Sequence, residues 1–491
     1  MYDYIIIGGG ITGLYTCYNI IKKDKDANIC IIEQSNRWGG RIYTKKRDGL
    51  TFESGAGRFH SSHKYLLKLL KELKLEDKCV PLSKDVSYFL KNQWVSNDKQ
   101  LMSIYNSSYK SLNSIWKFIY SKPPSDYSTT LYQHCINIGL SKDETECLKD
   151  TFGYTTEFIQ LNARNALEII KNDFSNKGSY YVLNGGLEQL INKLVEYLSK
   201  FSNITMNLNT ACLSINTDKC EIETNNNKLN SNKIIITVPI NSLNNINIIP
   251  NIKWSKNEQP IPYNLFRIYA KYSTPWFKNM SKIITDKNLS MIIPINYKMG
   301  LIMISYTDNI KATYWNNIET IDKLKKEIKK ELKLLFPNIN IPDPEWLSLE
   351  YWNEGCHAWG TNMDNNKIMD NITKQLGNNI YLINESYSFL QGWIEGSLEM
   401  THNILNKING GSIKYTINDV KKHNTLNKGV WTIINNKVYD ITKWVPNHPG
   451  GIAKIMQIAG KDGTELFMNN PFHKGTDANK ILEKYYIGEL D

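Results

Sequence analysis

The chain has 491 residues, 41% hydrophobic and 11% aromatic, which is more than one core usually serves, so two or three folded domains are expected and a disordered chain is excluded. Its net charge of +11 comes from 59 basic and 48 acidic residues interspersed along the length, without the dense Lys/Arg stripe of a nucleic-acid-binding protein. Eight cysteines (Cys17, Cys30, Cys79, Cys135, Cys147, Cys212, Cys220 and Cys356) form no CxxC pair, which argues against a disulfide scaffold and for a reducing compartment.

The first elements alternate: "YDYIIIGGG" reads as a buried strand ending in glycines, "ITGLYTCYNIIKK" has helical spacing, and "ANICIIEQ" is a second strand, which together make a βαβ unit. From Ser61 to Pro260 helical patterns dominate, broken by the strand-like "NKIIITVP", while Asn-rich runs such as "NNNKLNSNK" read as coding bias. A strand "LFRIYAKY", a charged amphipathic helix "IDKLKKEIKKELKLLF" and a last strand, turn and helix follow, before "NGGSIKYT" marks a break near Gly410. The opening apolar run is too short for a signal peptide. "MIIPINYKMGLIMISY" (Met291 to Tyr306) contains Pro294 and Lys298 and falls short of the ~20 residues of a membrane span, so a soluble, cytoplasmic protein without an anchor is expected.

Gly8, Gly10 and Gly13 have GxGxxG spacing between the predicted strand and helix, where glycines allow a tight turn, close approach of a pyrophosphate and close helix packing. Glu33 follows Gly13 by 20 residues at the end of the second strand, placed to bind a ribose hydroxyl pair. These features in register point to a dinucleotide.

Just beyond lies "RWGGRIYT" (Arg37, Gly39, Gly40, Arg41), and from here the chain resembles the flavin-containing amine oxidase family, which includes monoamine, polyamine and L-amino-acid oxidases. The resemblance implies FAD, with Gly40 and Arg41 at the diphosphate and Gly57 and Arg58 of "SGAGRF" beside the flavin. It continues through "YYVLNGGLEQLINKL", through "LNTACLSI" with the Leu213 backbone at the adenine, through "KIIITVP", and through "YLINESYSFLQGWIEGSLEM". There Glu385 is implied at the ribityl or phosphate region, and Trp393 to Ser397 opens the last helix under the flavin. Two positions depart from the family: Ser35 stands where a basic residue often follows the ribose acid, and Arg267 takes the place of the lysine that holds a water against the reactive flavin nitrogen. Arginine does not deprotonate near neutral pH. On the substrate side, Cys356 aligns with a cysteine that bonds covalently to the flavin in monoamine oxidases, the other reading being a buried thiol. His357 and Trp393 align with the two aromatic residues flanking the amine, although His357 is equally readable as a structural histidine.

From Tyr415 the chain resembles cytochrome b5 domains, through "VWTIINNKVYDITKWVPNHPGG", "AGKDGTELF" and a later histidine followed by "DANKIL". The resemblance implies a haem b whose iron is held axially by His448 and His473, 25 residues apart, a clamp that saturates the iron for electron transfer. The second histidine falls six residues after Phe467, one more than is usual, with Pro471 inside the loop. From Ile413 onward 11 Lys face 8 Asp plus Glu, so the acidic docking face of many such domains is not expected.

The expected architecture is a Rossmann-like α/β FAD-binding domain with an inserted α+β substrate domain over residues 1–409, a linker at 410–413 and a small α+β haem domain at 414–491. FAD-binding parts are expected at 1–85, 183–250 and 350–409, and substrate parts at 86–182 and 251–349. The expected function is oxidation of a small-molecule amine, with dioxygen or the chain's own haem as electron acceptor. Three other readings stay open on the sequence: a dioxygen-using oxidase whose haem domain docks or regulates, a dehydrogenase of a porphyrin- or carotenoid-like substrate, and a non-catalytic flavin-binding scaffold. Nothing in the sequence fixes the number of subunits.

Overall fold

In the computed structural model the isoleucine-rich start of the chain is the centre of a sheet. Tyr2–Ile7 lies between Ile29–Ile32 and Lys228–Ile236, parallel to both, and Ile5, Ile6 and Ile7 are buried. Parallel strands covered on both faces read as continuous apolar runs, which is why this segment shows no alternation. The structure describes residues 1–173, 178–250, 258–408, 414–473 and 478–490, so the expected linker at 410–413 lies outside the described residues. The chain divides into two units, Met1–Thr401 and His402–Asp491.

In the first unit the main sheet has eight strands among the described residues. Its order is Ile204–Asn207, Ile29–Ile32, Tyr2–Ile7, Lys228–Ile236, Glu221–Thr224, Cys212–Asn216 and Asn247–Ile249, with Ile380–Leu382 also paired to Lys228–Ile236. Helix Ile11–Lys23 returns from the glycine turn, and Ile380–Leu382 brings the end of the unit back beside its beginning. The helical reading of 61–260 holds from Asp98–Ile104 to Ala163–Asp173 and again at Glu188–Leu198, but Val86–Leu90, Gln93–Val95 and most of residues 204–249 are strand. There the Asn run forms a hairpin: Thr224 Oγ1 takes the amides of Asn226 and Asn227, and the exposed Lys228, Asn230 and Asn232 alternate with covered neighbours along the strand.

A second sheet of seven strands has the order Trp346–Ala358, Ile261–Lys271, Leu301–Asp308, Met291–Asn296, Lys282–Thr285, Val86–Leu90 and Gln93–Val95. It packs around Phe266, Ile268, Ile302, Ile304 and Trp315, and helix Ile321–Leu335 adds Leu324, Ile328 and Leu332. A separate helical cluster is built on Tyr105, Ile115, Leu131, Leu148 and Phe158. Strand Trp346–Ala358 belongs to this second sheet and crosses the expected boundary at 350. It thereby carries residues 354–358 from the substrate side to the cofactor side.

The second unit has its own sheet, ordered Lys414–Tyr415, Tyr486–Leu490, Lys437–Asp440, Gly429–Ile434 and Asn424–Thr425, with Lys461–Asp462 beside Gly429–Ile434. Val430, Ile434, Tyr439, Ile441 and Val445 form its core.

Candidate active site and haem clamp

One cavity of about 1210 Å³ in the first unit reaches from Gly8, Gly10 and Glu33 past Arg41 to Arg58, Tyr180 and Trp393. At its first end the glycines are dictated by sterics. A Cβ on Gly13 would lie 2.0 Å from the Gly8 carbonyl oxygen and one on Gly8 would lie 2.6 Å from Thr237 Oγ1, whereas Gly10 has nothing within 4 Å. The helix therefore starts against the strand, and its first N–H groups, uncapped by any side chain, face open space at Gly10. Glu33 Oε2 accepts from the Gly9 amide at 2.7 Å and Oε1 from the Ser35 amide at 2.9 Å, so the acid also braces the turn. Gly39 and Gly40 have positive φ and close over the turn, with Gly39 donating to the Gly9 carbonyl. Arg37 is a brace that the sequence did not reveal: it donates to the carbonyls of Trp38, Gly40 and Ile42 and stacks on Tyr43. Leu213 is half-exposed on the wall of the same end.

In the middle of the cavity the structure joins residues that the sequence kept apart. Arg41 donates to Glu385 Oε2 at 2.8 Å and to the Gly355 carbonyl at 3.1 Å. Glu385 also takes His357 Nδ1 at 2.7 Å and the Gly392 amide at 2.6 Å, and the far side of the ring, Nε2, meets Glu354 Oε1 at 2.8 Å. Burial pushes the Glu385 carboxyl up, but Arg41 and His357 outweigh it and hold the group far below the usual carboxylate range. Burial lowers His357, and the charge of Glu385 with the bonds to both carboxylates more than reverses this and raises it. Of the two readings that the sequence offered for His357, the geometry favours the structural one. The ring is 1% exposed, both nitrogens are committed to carboxylates, and the cavity wall runs through Gly355 and Cys356 instead. Cys356 faces its cross-strand partner Tyr263. Burial and the nearby Glu385 push its thiol up to about 12, which opposes the thiolate that a covalent bond requires.

The far end is aromatic and charged. Trp393 and Tyr180 lie with ring centres 6.2 Å apart and planes within 19°, and the Arg58 guanidinium sits 4.9 Å from Tyr180 and 5.9 Å from Trp393. Arg58 also donates to Tyr154 Oη at 2.8 Å. Arg267 pairs across the strands with Tyr306, donating to its hydroxyl at 3.2 Å, and it donates to the carbonyls of Glu53 and Gly55. It thus clamps the turn carrying Gly57, whose Cβ would fall 3.5 Å from Arg267 Nη1. Glu157, Lys282, Tyr154 and Tyr180 were missed from the sequence. Only Tyr180 lay in a recognised motif, as the first residue of "YYVLNGGLEQLINKL", because the others are gathered by tertiary contacts without a spacing of their own.

In the second unit His448 follows the turn Val445–Asn447, and the Pro-Gly-Gly after it has a steric purpose. A Cβ on Gly450 would lie 2.9 Å from the His448 ring, and Gly451 opens the next helix with φ +83°. Pro471 begins a single 3-10 turn, Pro471–His473, which absorbs the extra residue of that loop. The two imidazole centres are 6.4 Å apart. His448 Nδ1 lies 3.4 Å from the Gly451 carbonyl oxygen and His473 Nδ1 lies 3.0 Å from that of Phe467, a pattern that orients each ring through Nδ1, while His473 Nε2 lies 3.4 Å from the Asn470 side-chain amide, a long contact that a metal would replace.

The sequence signature described as flavin containing amine oxidoreductase matches residues 11–400. The chain belongs to that family. A cytochrome b5-like heme/steroid binding domain matches residues 416–491. Putrescine oxidase bound to putrescine has the same fold, with a TM-score of 0.65 at 14% identity over 83% of this chain and 99% of that one. The C-terminal unit is similar to cytochrome b5 of Rhizopus stolonifer, 42% identical over 77 residues, 16% of this chain and 56% of that protein. It is also similar to an acyl-lipid (8-3)-desaturase of Physcomitrium patens, 49% identical over 78 residues, 16% of this chain and 15% of that protein. The chain thus matches only part of the length of these curated relatives.

As a member of the flavin-containing amine oxidoreductases the chain takes FAD, and the structure fits it. Gly10 and the uncapped helix start suit the diphosphate, Glu33 the ribose, and Arg41 lines the same wall. The C-terminal unit fits haem on a distance. With metal–imidazole bonds of about 2.0 Å, and ring nitrogens about 1.2 Å from the ring centre, two imidazoles on one iron have centres about 6.4 Å apart. Exposed Ile452, Leu466, Met468 and Phe472, on the elements around the two histidines, offer apolar cover for a porphyrin. No helix among the described residues is long and apolar enough to cross a membrane.

Proposed function

We propose that the protein oxidises the C–N bond of a small-molecule amine and that the electrons leave through the haem of its C-terminal unit. The observation that carries the reading is a continuous cavity linking the dinucleotide turn to the Tyr180–Trp393 chamber. The two parallel rings orient an amine by their faces, and the buried walls exclude water. FAD, when bound, supplies the two-electron sink for this chemistry. Arg267 supports an acceptor other than dioxygen: it is committed to two carbonyls and Tyr306, and it replaces the lysine that holds a water in the family. Cys356 and Tyr263 border the chamber, while His357 acts behind it by holding Glu385 and Glu354 in place.

Anaerobic mixing of the full-length protein with amines tests this. Bleaching of the flavin band followed by conversion of the haem from ferric to ferrous is expected. A bleached flavin beside a persistently ferric haem refutes the haem as acceptor, and peroxide formation in air then identifies the dioxygen-using oxidase. A flavin that no amine bleaches refutes amine oxidation itself.

A further inference from the structure

Among the described residues, the carboxyl groups that line the cavity are all held by partners but one. Glu33 braces the glycine turn, Glu53 takes the Thr44 hydroxyl and the Leu187 amide, and Glu350 takes Ser54 and Lys45. Glu354 and Glu385 hold His357, and the exposed Asp85 takes the Ser83 hydroxyl. Glu157 is the exception: it is 9% exposed, and its Oε2 has no hydrogen-bond partner. Its short helix Thr156–Ile159 is fixed by Asp308, whose carboxylate takes the amides and hydroxyls of Thr155 and Thr156 at 2.6–3.1 Å. Charged and titratable groups face Glu157 from four elements: Asp308 at the end of strand Leu301–Asp308, Arg58 in the turn after Gly57, and Tyr263 and Cys356 on paired strands. Burial first, and the charge of Asp308 second, push the carboxyl up to about 8, while Arg58 opposes them.

An amine of ordinary basicity is an ammonium ion near neutral pH, with roughly one molecule in a thousand neutral, and its nitrogen needs a free lone pair before the C–N bond is oxidised. We propose that Glu157 prepares the substrate: as a carboxylate its Oε2 takes one proton from the substrate ammonium, so that a neutral amine stands beside the Tyr180–Trp393 pair. One N–H bond breaks and one O–H bond forms, neither group is oxidised or reduced, and the proton passes to water when the product leaves. The surroundings of Glu157 suit it to this step. Raised to about 8, it holds a proton on the order of 10³ times better than a carboxyl at its ordinary value, and Arg58 steadies the carboxylate from which the step begins. Lys282, on strand Lys282–Thr285 in the same wall, is also drawn down to about 8, by burial first and Arg58 second, but a second cation beside Arg58 repels an ammonium that a carboxylate attracts. The inference rests on the amine-oxidation reading and adds to it the residue that receives the substrate's proton.

The full-length protein with FAD bound is mixed anaerobically with the amine that bleaches the flavin fastest and with its β,β-difluoro analogue, whose fluorines withdraw charge from the nitrogen and leave it largely neutral at about pH 8. Glu157→Gln should slow reduction by the ordinary amine roughly 100-fold at that pH and leave the difluoro analogue within about three-fold, because a nitrogen that is already neutral needs no acceptor. In the wild type the rate with the ordinary amine should rise as pH rises through about 8 and the carboxylate forms, and Lys282→Met should keep that rise. Infrared difference spectra between about pH 7 and about pH 9 give a readout free of turnover: a protonated-carboxyl band that the wild type loses and Glu157→Gln lacks. Equal slowing of both amines by Glu157→Gln would overturn the proposal and make Glu157 a structural residue, with amine oxidation still standing. A wild-type rate that stays flat across the same pH range would overturn it too, and that measurement does not depend on any variant folding. Loss of the rise in Lys282→Met would assign the proton to Lys282 instead. A wild-type flavin that no amine bleaches would overturn amine oxidation and this inference together.

Discussion

Replacing Glu385 by glutamine removes the charge at the centre of the buried network and keeps the shape. The carboxylate is 7% exposed and receives Arg41, His357 and the Gly392 amide at 2.8, 2.7 and 2.6 Å. Glutamine leaves the Arg41 guanidinium without its ion pair and leaves the His357 ring with Glu354 alone, and breaking a buried pair in this way costs about 3–5 kcal/mol. For the unit Met1–Thr401, an unfolding entropy of about 2.1 cal/mol/K per residue makes each kcal/mol worth roughly 1.2 °C, so a fall in melting temperature of about 4–6 °C is expected. The assay is a thermal melt of the full-length protein followed by flavin release. The pH dependence adds a second check. The depressed Glu385 contributes stability above the ordinary carboxylate value and loses it only as pH falls through its much lower folded value, so the gap between wild type and variant persists down to about pH 5. The raised His357 contributes below its ordinary value and loses that contribution as pH rises through its folded value, so the gap narrows on the alkaline side. A variant melting within about 1 °C of the wild type near neutral pH would refute the view that this network holds the cofactor wall together.

Glu157→Gln should behave in the opposite sense. The carboxyl is raised to about 8, so its contribution is full below its ordinary value and is lost as pH rises through about 8, and above that pH the variant should melt higher than the wild type. Gly13→Ala places a methyl 2.0 Å from the Gly8 carbonyl oxygen, and purified protein is expected to lose its flavin absorbance and keep its haem band. His473→Ala or His448→Ala should do the reverse, abolishing the haem band while flavin absorbance stays. Acid precipitation of the wild type should leave the flavin in the supernatant, because the Cys356 thiol is held protonated; flavin in the pellet would contradict that.

Features with local causes were legible in the sequence. The glycines at 8, 10 and 13 are needed by a turn whose sterics span a few residues, and the Pro-Gly-Gly after His448 likewise serves the ring beside it. His357 was left between two readings because alignment gives a position along a strand and not the partners of the ring, which come from residues 354 and 385. Arg267 was recognised as a departure, but its bonds to the Glu53 and Gly55 carbonyls follow from a crossing of distant strands. The Asn run at 225–227 was set aside as compositional, although short polar residues are what a tight hairpin turn uses. Glu157 and Lys282 had no signature at all, since a buried charge can be recognised only when its surroundings are known.

The bond between Arg41 and Glu385 spans 344 residues of chain. At synthesis rates of about 5–20 residues per second, Arg41 waits roughly 20–70 s on the ribosome before its partner emerges, and the strand Ile380–Leu382 that closes the main sheet is equally late. The glycine turn is thus made among the first residues and completed among the last of its unit, which leaves the nascent sheet edge in need of protection for most of translation. The haem unit, whose bonded strands all lie between residues 414 and 490, is under no such delay once it emerges.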